Sequence, residues 1–465
     1  MGLVTLLFVS LGTIFSPKHH SVMMNNTMRC FSFLSATLLL SVSVIGFAKA
    51  EDLDSAVKSA LANHPTIESA IANEMATSAE RAEEFASYFP DLNVRATGGR
   101  IFADNSTSRG LTVTRGSAYS YLWEGGVTLT QPIFRGFETV NKVDAAEDRI
   151  ESAKYNVMDI RENLSLRTVL SYLDVIRARE ILDEMDAYDA RLAEYIERIE
   201  VMVAEGAADE SLLSRAVDIK AELKNTIANI RSSVRSAQAE YVELVGHAPT
   251  PDMNMPFPDL QFMSGNVDEL VAYTLENHPF LLSSYYKGEA IKEDYAAAKE
   301  FYYPDLDGEL SYLIRDQKEE IGGELTDARA VVRLNWDFSI GGADFAKTRG
   351  LAQRHIESQA RWKDSRRQIE RQLRVAYSDM IRSQEQLEIQ NERKELAEEL
   401  FTTYKTQFEG ARVDILKLVQ ADNDLFSTEL AAINGKFALV GSQYTVLASM
   451  GRLQEALSLI ELTEK

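Results

Sequence analysis

Residues 118–136 read AYSYLWEGGVTLTQPIFRG, and the side chains of this stretch alternate between two chemistries. Most even-numbered residues from 120 to 130 are Ser, Thr or Glu. The odd-numbered ones are apolar or small, namely Tyr119, Tyr121, Trp123, Gly125, Val127 and Leu129. A period of two predicts a β-strand with one apolar and one polar face.

Three further stretches alternate in the same way, at residues 92–102, 306–315 and 329–338. The sequence therefore predicts two strand pairs, about 92–131 and about 306–340. A polar, glycine-rich segment joins the strands of each pair. Each strand is close in length to the ~9–11 residues that a tilted strand needs to cross the hydrocarbon core of a bilayer.

An ordinary antiparallel sheet with one solvated face would show the same alternation. Charges on the polar sides favour a membrane location instead, as do aromatic residues suited to membrane interfaces. These candidate interface aromatics are Tyr119, Tyr121, Trp123 and Trp336. Lipid tolerates no unpaired backbone groups, and known closed barrels begin at about eight strands. We therefore expect the chain to complete its barrel with other copies.

Two very long helices are the second prediction. No proline occurs between Pro132 and Pro249, and no glycine between Phe137 and Glu205. A helix of roughly 65 residues, at 1.5 Å per residue, is about 100 Å long. The region after Asp305 is also free of proline, and apolar residues at helical spacing predict packing as coiled coils. The alternative from another class is a periplasmic coiled-coil scaffold or adhesion protein.

The chain contains two copies of one unit. Asn63-His64-Pro65 recurs as Asn277-His278-Pro279, and Tyr88–Leu92 recurs as Tyr302–Leu306, both at an offset of 214. Glu205-Gly206-Ala207 recurs as Glu409-Gly410-Ala411 at an offset of 204. We predict a first repeat over 51–248, a linker over 249–262 and a second repeat over 263–465. The helical hairpins should turn near residues 206 and 410.

Residues 1–50 are predicted to be a leader. Met28-Arg29 precedes an apolar run from Phe31 to Phe47, and Ala48-Lys49-Ala50 follows. A basic start, a short apolar core and small residues before the cleavage point are typical of a secretory signal peptide. The mature protein should begin near Glu51, and residues 1–23 are interpreted as an over-extended start. The alternative, an N-terminal membrane anchor, needs roughly 20 apolar residues.

Composition excludes several function classes. The formal charge is −22, and it becomes −25 without the leader, which contains Lys18, Arg29 and Lys49 but no acid. An acidic surface argues against nucleic acid as a partner. The histidines show no metal-ligand spacing, and no phosphate loop or nucleophile elbow occurs. We expect no catalysis, no cofactor and no metal; Cys30, in the leader, is the chain's one cysteine.

These features together resemble the TolC-like outer-membrane efflux protein family. The resemblance rests on the leader, the duplicated unit, both Asn-His-Pro motifs, Tyr88–Leu92 before a strand and Gln131-Pro132-Ile133-Phe134 before a long helix. It covers residues 51 to about 460. It implies a mainly α-helical fold with a transmembrane β-barrel: long antiparallel helices form an α-barrel, and four strands per protomer complete a twelve-stranded barrel in a homotrimer.

The resemblance also implies a function and partners. The trimer would be a passive exit conduit in the outer membrane, with its helical part in the periplasm. It would contact outer-membrane lipid, a periplasmic adaptor (membrane fusion) protein and an inner-membrane ABC or proton-driven transporter. Its cargo would be drugs or unfolded polypeptide, and residues 131–139 look most like members that serve type I protein secretion.

The family closes its tunnel at the helical tips through polar links, which points to gate candidates here. By local match, Phe408 and Arg412 stand at the gating aromatic and arginine, and Ser211 at a hydroxyl partner. Where constricting acids would stand, this chain has Lys417 and Gln420, or Leu416 and Val419 in an ungapped alignment. Nearby acids could replace them, namely Asp209, Glu210 and Asp414. The alternative is that these acids only solvate a turn.

Overall fold

The computed structural model describes residues 51–103, 118–317, 324–410 and 412–459, all within one compact unit, Lys49–Lys465. One order of elements occurs twice. The first set is α1 (Leu53–Asn63), α2 (Pro65–Ala86), β1 (Asp91–Ala103), β2 (Ala118–Arg135), α3 (Glu138–Ala204) and α4 (Glu210–Val245). The second is α5 (Val267–Asn277), α6 (Pro279–Ala297), β3 (Asp305–Gln317), β4 (Glu324–Asn335), α7 (Ala343–Glu409), α8 (Ile415–Ser449) and α9 (Leu453–Ala456). The predicted mainly helical fold with an antiparallel sheet is confirmed.

Each Asn-His-Pro motif starts a helix. Nδ1 of His64 accepts a hydrogen bond from the backbone N–H of Thr66 at 3.2 Å, and His278 does the same for Phe280 at 3.2 Å. The proline that follows each histidine is the first residue of α2 or α6, where its missing N–H costs nothing. Both histidines therefore act as N-caps, which is a structural role.

The sheet has the strand order β1-β2-β3-β4, and each neighbouring pair is antiparallel. Its central pair, β2 and β3, joins the two repeats. Near the end of β2 the register shifts between Pro132 and Phe134. Proline has no N–H to give to a ladder, so a bulge here is expected.

The strand ends differ from those predicted. β2 continues to Arg135, whereas β4 ends at Asn335, opposite Asp305. The alternation that continues through Trp336 and Phe338 is therefore not strand, and the prediction to about residue 340 was too long. The reason is pairing: β3 begins at Asp305, directly after Pro304, and offers no ladder partner beyond that point.

The two long helices, α3 and α7, each contain 67 residues, close to the predicted length. Neither contains proline, and α3 also lacks glycine, whereas α7 contains Gly350. Each follows a residue with left-handed backbone, Phe137 (φ 68) before α3 and Gly342 (φ 73) before α7. Gly136 is also left-handed, at φ 54, and a Cβ there would lie 2.7 Å from the carbonyl oxygen of Glu300. This turn from strand into helix therefore requires glycine at 136.

Two hydrophobic clusters form the core, and both lie among helices. The central core surrounds Tyr172, Tyr241 and Tyr444, on α3, α4 and α8. The tip core lies nearer the hairpin turns and comprises Ile181, Met185, Tyr188, Leu192, Tyr195, Ile199, Ala216, Leu223, Ile227, Ile415, Leu418, Val419 and Phe426. Neither cluster contains a residue of the sheet, so helix packing stabilises the single chain while the sheet stands apart.

Candidate functional site

The register gathers the apolar side chains of the strands on one face of the sheet. Leu129 of β2 pairs with Leu92 of β1 on one side and with Leu310 of β3 on the other. This face is open in the single chain, where Trp123 exposes 64% of its surface and Leu334 61%. A contiguous apolar surface of this kind marks a place where a membrane or another protein binds.

The opposite face carries ion pairs across the strands. Arg315 of β3 lies opposite Glu124 of β2, with their charged groups 2.6 Å apart. Arg333 of β4 reaches Glu309 of β3 at 2.7 Å. Cross-strand charge pairs belong on a wet surface, because burying them in hydrocarbon is costly. One face therefore suits lipid and the other suits water.

The predicted interface aromatics occupy different places. Tyr121 and Trp123 lie on the apolar face and are exposed. Tyr119 pairs with Phe102 in the register, but its side chain lies outside the described part of the chain. Trp336 lies just beyond β4, where its indole N–H donates to the carbonyl oxygen of Phe301 at 3.3 Å. It therefore anchors the end of the strand to the turn before β3.

The first helical tip is a short turn between α3 and α4. Gly206 adopts φ 73, and the N–H groups of Ala207 and Ala208 both donate to the carbonyl oxygen of Met202, at 2.8 and 3.2 Å. Asp209 is the N-cap residue of α4, although its side chain makes no cap hydrogen bond. The candidates on this tip are all exposed, namely Asp209, Glu210 and Ser211.

The second tip joins α7 to α8 and is built differently. Asp414 caps α8 by accepting a hydrogen bond from the N–H of Leu416 at 3.5 Å. Phe408 is half-buried and packs against the tip core, whereas Arg412, Asp414 and Lys417 are exposed. Residue 411 lies outside the described ranges.

The structure brings the two tips onto the same tip core, through Leu212 and Leu213 on one side and Phe408 on the other. Within the described part of one chain, no hydrogen bond or ion pair joins the side chains of any two gate candidates. Their assignment as a gate remains a prediction. The exposed charges are free to act toward groups outside the single chain.

A buried ion pair that the sequence analysis missed lies between α3 and α8. Asp422 of α8 is fully buried, and Nε of Arg191 on α3 lies 3.2 Å from its Oδ1. Arg191 also lies 3.6 Å from Glu184 and stacks on the ring of Tyr188. We call these contacts the inter-repeat seam, because α3 belongs to the first set of elements and α8 to the second.

Burial dominates the electrostatics of the seam. It raises the pKa of the Asp422 carboxyl, and the Arg191 guanidinium and a hydrogen bond from Tyr195 oppose that rise. Next to it the Tyr188 hydroxyl donates to Asn423 at 3.1 Å, and the Tyr188 ring stacks on Phe426. The signal was present in the sequence: Asp422 stands at helical spacing after Ile415, Leu418 and Val419, where an apolar residue is expected.

Within the described ranges, no group of three or more His, Cys, Asp or Glu side chains is arranged to hold a metal ion. In the same ranges, no helix has both the length and the hydrophobicity of a membrane-spanning segment.

Several known proteins resemble this chain over most of its length. The "Outer membrane efflux protein BepC" of Brucella suis biovar 1 (strain 1330) is 22% identical over 430 residues, 91% of each chain. A membrane protein from Pseudomonas aeruginosa has 18% identity and a TM-score of 0.75, covering 86% of this chain and 93% of that one. The outer membrane channel CmeC of Campylobacter jejuni has 14% identity and a TM-score of 0.76, covering 89% and 87%.

The family model for the outer membrane efflux protein matches residues 56–247 and 270–452. Each matched segment covers one set of elements, since the first ends just after α4 and the second just after α8. The predicted linker lies between the two segments. The family's members are channel proteins rather than enzymes, in line with the expected lack of catalysis. The match spans most of the chain, and this protein therefore belongs to the outer membrane efflux protein family.

Proposed function

We propose that the chain is one protomer of a trimeric exit conduit in the outer membrane, which passes cargo without catalysing a reaction. The observation that carries the proposal is the sheet: among the described residues its apolar face is exposed, and the edge strands β1 and β4 each pair with one neighbouring strand. In lipid each of those edges needs a partner. Four strands from each of three chains would give a closed barrel of ordinary size.

A second surface supports the same assembly. Helix α7 leaves a series of large apolar side chains exposed along its length, namely Phe345, Ile356, Val375, Ile381, Ile389, Leu396 and Leu400. Exposed apolar residues in a row along a helix predict a packed partner. A neighbouring protomer would cover this surface while its sheet pairs with β1 or β4, so one contact would satisfy both surfaces.

The proposal extends to partners and gating. By family resemblance, the exposed tips would meet a periplasmic adaptor, and an inner-membrane transporter would supply the energy. Phe408, Arg412, Ser211 and the tip acids would control the opening, through links between protomers. Drugs and unfolded polypeptide are both compatible with a conduit lined by the polar face of the sheet.

Cross-linking at the sheet edges tests the assembly. The predicted mature chain lacks cysteine, so two can be introduced cleanly. Asn93→Cys on β1 and Arg329→Cys on β4 lie at the same level of the sheet but on opposite edges. A bifunctional thiol reagent should yield covalent dimers and trimers, and no larger species, in outer membranes.

The matched control is Asn93→Cys with Thr128→Cys, two positions that pair directly within one chain. This variant should cross-link within the chain, and its product should still migrate as a monomer. A soluble, monomeric chain in the periplasmic fraction would contradict the proposal and favour the coiled-coil scaffold. Deletion of the gene, followed by comparison of drug susceptibility with secreted proteins, separates the two cargo classes.

A further inference from the structure

Glu51, the predicted first residue of the mature chain, is unusually well held. Glu51 follows the predicted leader directly, yet only 8% of its surface is exposed. Chain ends are poorly ordered unless something ties them down. Here the backbone N–H donates to the carbonyl oxygen of Asp252 at 3.0 Å, and the carbonyl oxygen accepts from the hydroxyl of Tyr172 at 2.7 Å and from the N–H of Asn254 at 3.4 Å.

The carboxylate of Glu51 is bound just as fully. Its Oε1 accepts from the hydroxyl of Tyr241 at 2.6 Å, and its Oε2 accepts from the backbone N–H of Thr250 at 3.2 Å. Nε2 of His247 lies 3.6 Å from Oε1. Tyr172 and Tyr241 are themselves fully buried. A buried carboxylate is stable only with such partners, so these residues form a built receptor, which we call the N-terminal clasp.

The clasp joins three parts of the fold. Tyr172 belongs to α3, Tyr241 to α4, and Thr250, Asp252 and Asn254 to the segment between the two sets of elements. Glu51 also forms a parallel bridge with Met253. One residue at the predicted mature start therefore fixes the linker against α3 and α4 of the first set.

We propose that the leader is cleaved between Ala50 and Glu51, and that the α-ammonium group released on Glu51 is a structural ligand of the clasp. A leader peptidase would hydrolyse the Ala50–Glu51 peptide bond with water, which leaves a carboxylate on Ala50 and an amine on Glu51. The Glu51 nitrogen already points at the Asp252 carbonyl, so the first of its N–H donors has an acceptor.

Local charge favours this ammonium. The carboxylates at the clasp are those of Glu51 and of Asp52, which accepts from the amide of Asn254. The basic groups beside them are His247 and Arg179, whose guanidinium donates to the carbonyls of Thr250 and Pro251. A new positive charge at Glu51 reduces that excess of acid. Cleavage one residue later would remove Glu51 and all its bonds, and cleavage earlier would move the ammonium out of the clasp.

Intact mass of the protein purified from outer membranes in detergent tests the position, and a chain that begins at Glu51 is expected. The α-amine should react at least about tenfold more slowly with an acylating reagent at neutral pH in the folded protein than after denaturation, because the clasp holds it by a hydrogen bond to the Asp252 carbonyl. A different first residue, or equal labelling rates in both states, would overturn the proposal.

A pair of variants isolates the clasp. Tyr241→Phe deletes the hydroxyl that holds the Glu51 carboxylate and should speed α-amine labelling several-fold. Tyr188→Phe is the matched control: it deletes a hydroxyl of an equally buried tyrosine, which binds Asn423 in the tip core. It should leave α-amine labelling unchanged. The same increase in both variants would mean that general loosening, and not the clasp, protects the amine.

Discussion

Helices α3 and α7 have the same length and the same place in their sets of elements, but different surroundings. Twenty-one residues of α3 are buried, against four of α7. Leu192 of α3 and Leu396 of α7 are equivalent at the repeat offset of 204; the first is fully buried and the second exposes 67% of its surface. Duplicated sequence therefore gives equivalent helices without giving them equivalent neighbours.

The difference comes from packing order. Helix α3 packs against α1, α2, α4, α6 and α8, whereas α7 packs mainly against α5, α6 and α8. An inner position in the protomer explains why α3 carries both hydrophobic cores, and an outer position explains the open apolar surface of α7. Helix α3 therefore holds the single chain together, and the exposed apolar surface of α7 is the one that the proposed trimer would cover.

The largest expected effect is on the inter-repeat seam. Arg191→Ala on α3 leaves the buried Asp422 carboxylate without its cation, and loss of one partner of a buried pair costs about 3–5 kcal/mol. Arg361→Ala on α7 breaks a pair with Glu357 in which both side chains are mostly exposed, worth about 0.5 kcal/mol at most. Thermal denaturation in detergent compares the two, and similar losses would undo the contrast between the helices.

Leucine truncation at the equivalent positions comes next. Leu192→Ala opens a cavity in the tip core and should cost about 2–5 kcal/mol of stability. Leu396→Ala should leave the fold of the protomer intact, because that side chain has little cover within one chain. It should instead lower the temperature at which the oligomer dissociates, measured by native electrophoresis after heating. If neither property changes, α7 does not meet a neighbour at Leu396.

A third comparison uses the two capping histidines and pH. Burial lowers the pKa of His278 to about 4, from 6.5 in the unfolded chain. Between those values the unfolded chain binds a proton that the folded chain refuses, so stability is complete above pH 6.5 and falls as pH drops toward 4. The full loss is about 3 kcal/mol. His278→Asn keeps a capping oxygen without the titration.

The melting temperature of the wild type should therefore decline from pH 7 to pH 4 more steeply than that of His278→Asn. His64→Asn, at the equivalent position of the first set, is the control for the substitution itself. If the two asparagine variants show the same pH profile, the burial of His278 is not the cause.

The smallest effect on stability, and a distinct effect on function, is expected at the tips. Arg412→Ala removes an exposed side chain and should change the unfolding free energy by about 0.5 kcal/mol or less. If Arg412 holds neighbouring tips together through charge-assisted bonds, the variant should conduct more current in a planar bilayer. Lys405→Ala, at an exposed position of α7 near the same tip that is not a gate candidate, separates a specific link from a general change in charge.

Local patterns in the sequence were enough for the strands and the long helices. The alternation around Trp123 predicted one face of the sheet. The absence of proline, together with that of glycine in α3, predicted the length of the two 67-residue helices closely. Trp336 shows the limit of this method. The alternating pattern of β4 continues through Trp336, but its last residue paired with β3 is Asn335. Whether a residue is in a strand depends on its neighbour as well as on its own pattern.

Tertiary features were harder to predict. Nothing local distinguishes Leu192 from Leu396, because burial depends on which helices lie beside them. The buried Asp422 could have been found, as an acid at an apolar helical position, but its partner Arg191 is 231 residues away in sequence. The gate candidates came from family resemblance alone, and a single chain contains none of the contacts between copies that would test them.

The edge strands β1 and β4 have a consequence for the biogenesis of the proposed trimer. Until neighbours covered them, a lone chain on the way to that trimer would present two strand edges beside an exposed apolar surface, which together form a template for misassociation. Chains would then be most prone to aggregate between export and barrel closure. Faster synthesis would raise the concentration of unassembled chains during that interval. A mutant subunit that can pair at one edge only would hold wild-type subunits in barrels that do not close. Alleles that encode such a subunit should therefore be dominant-negative.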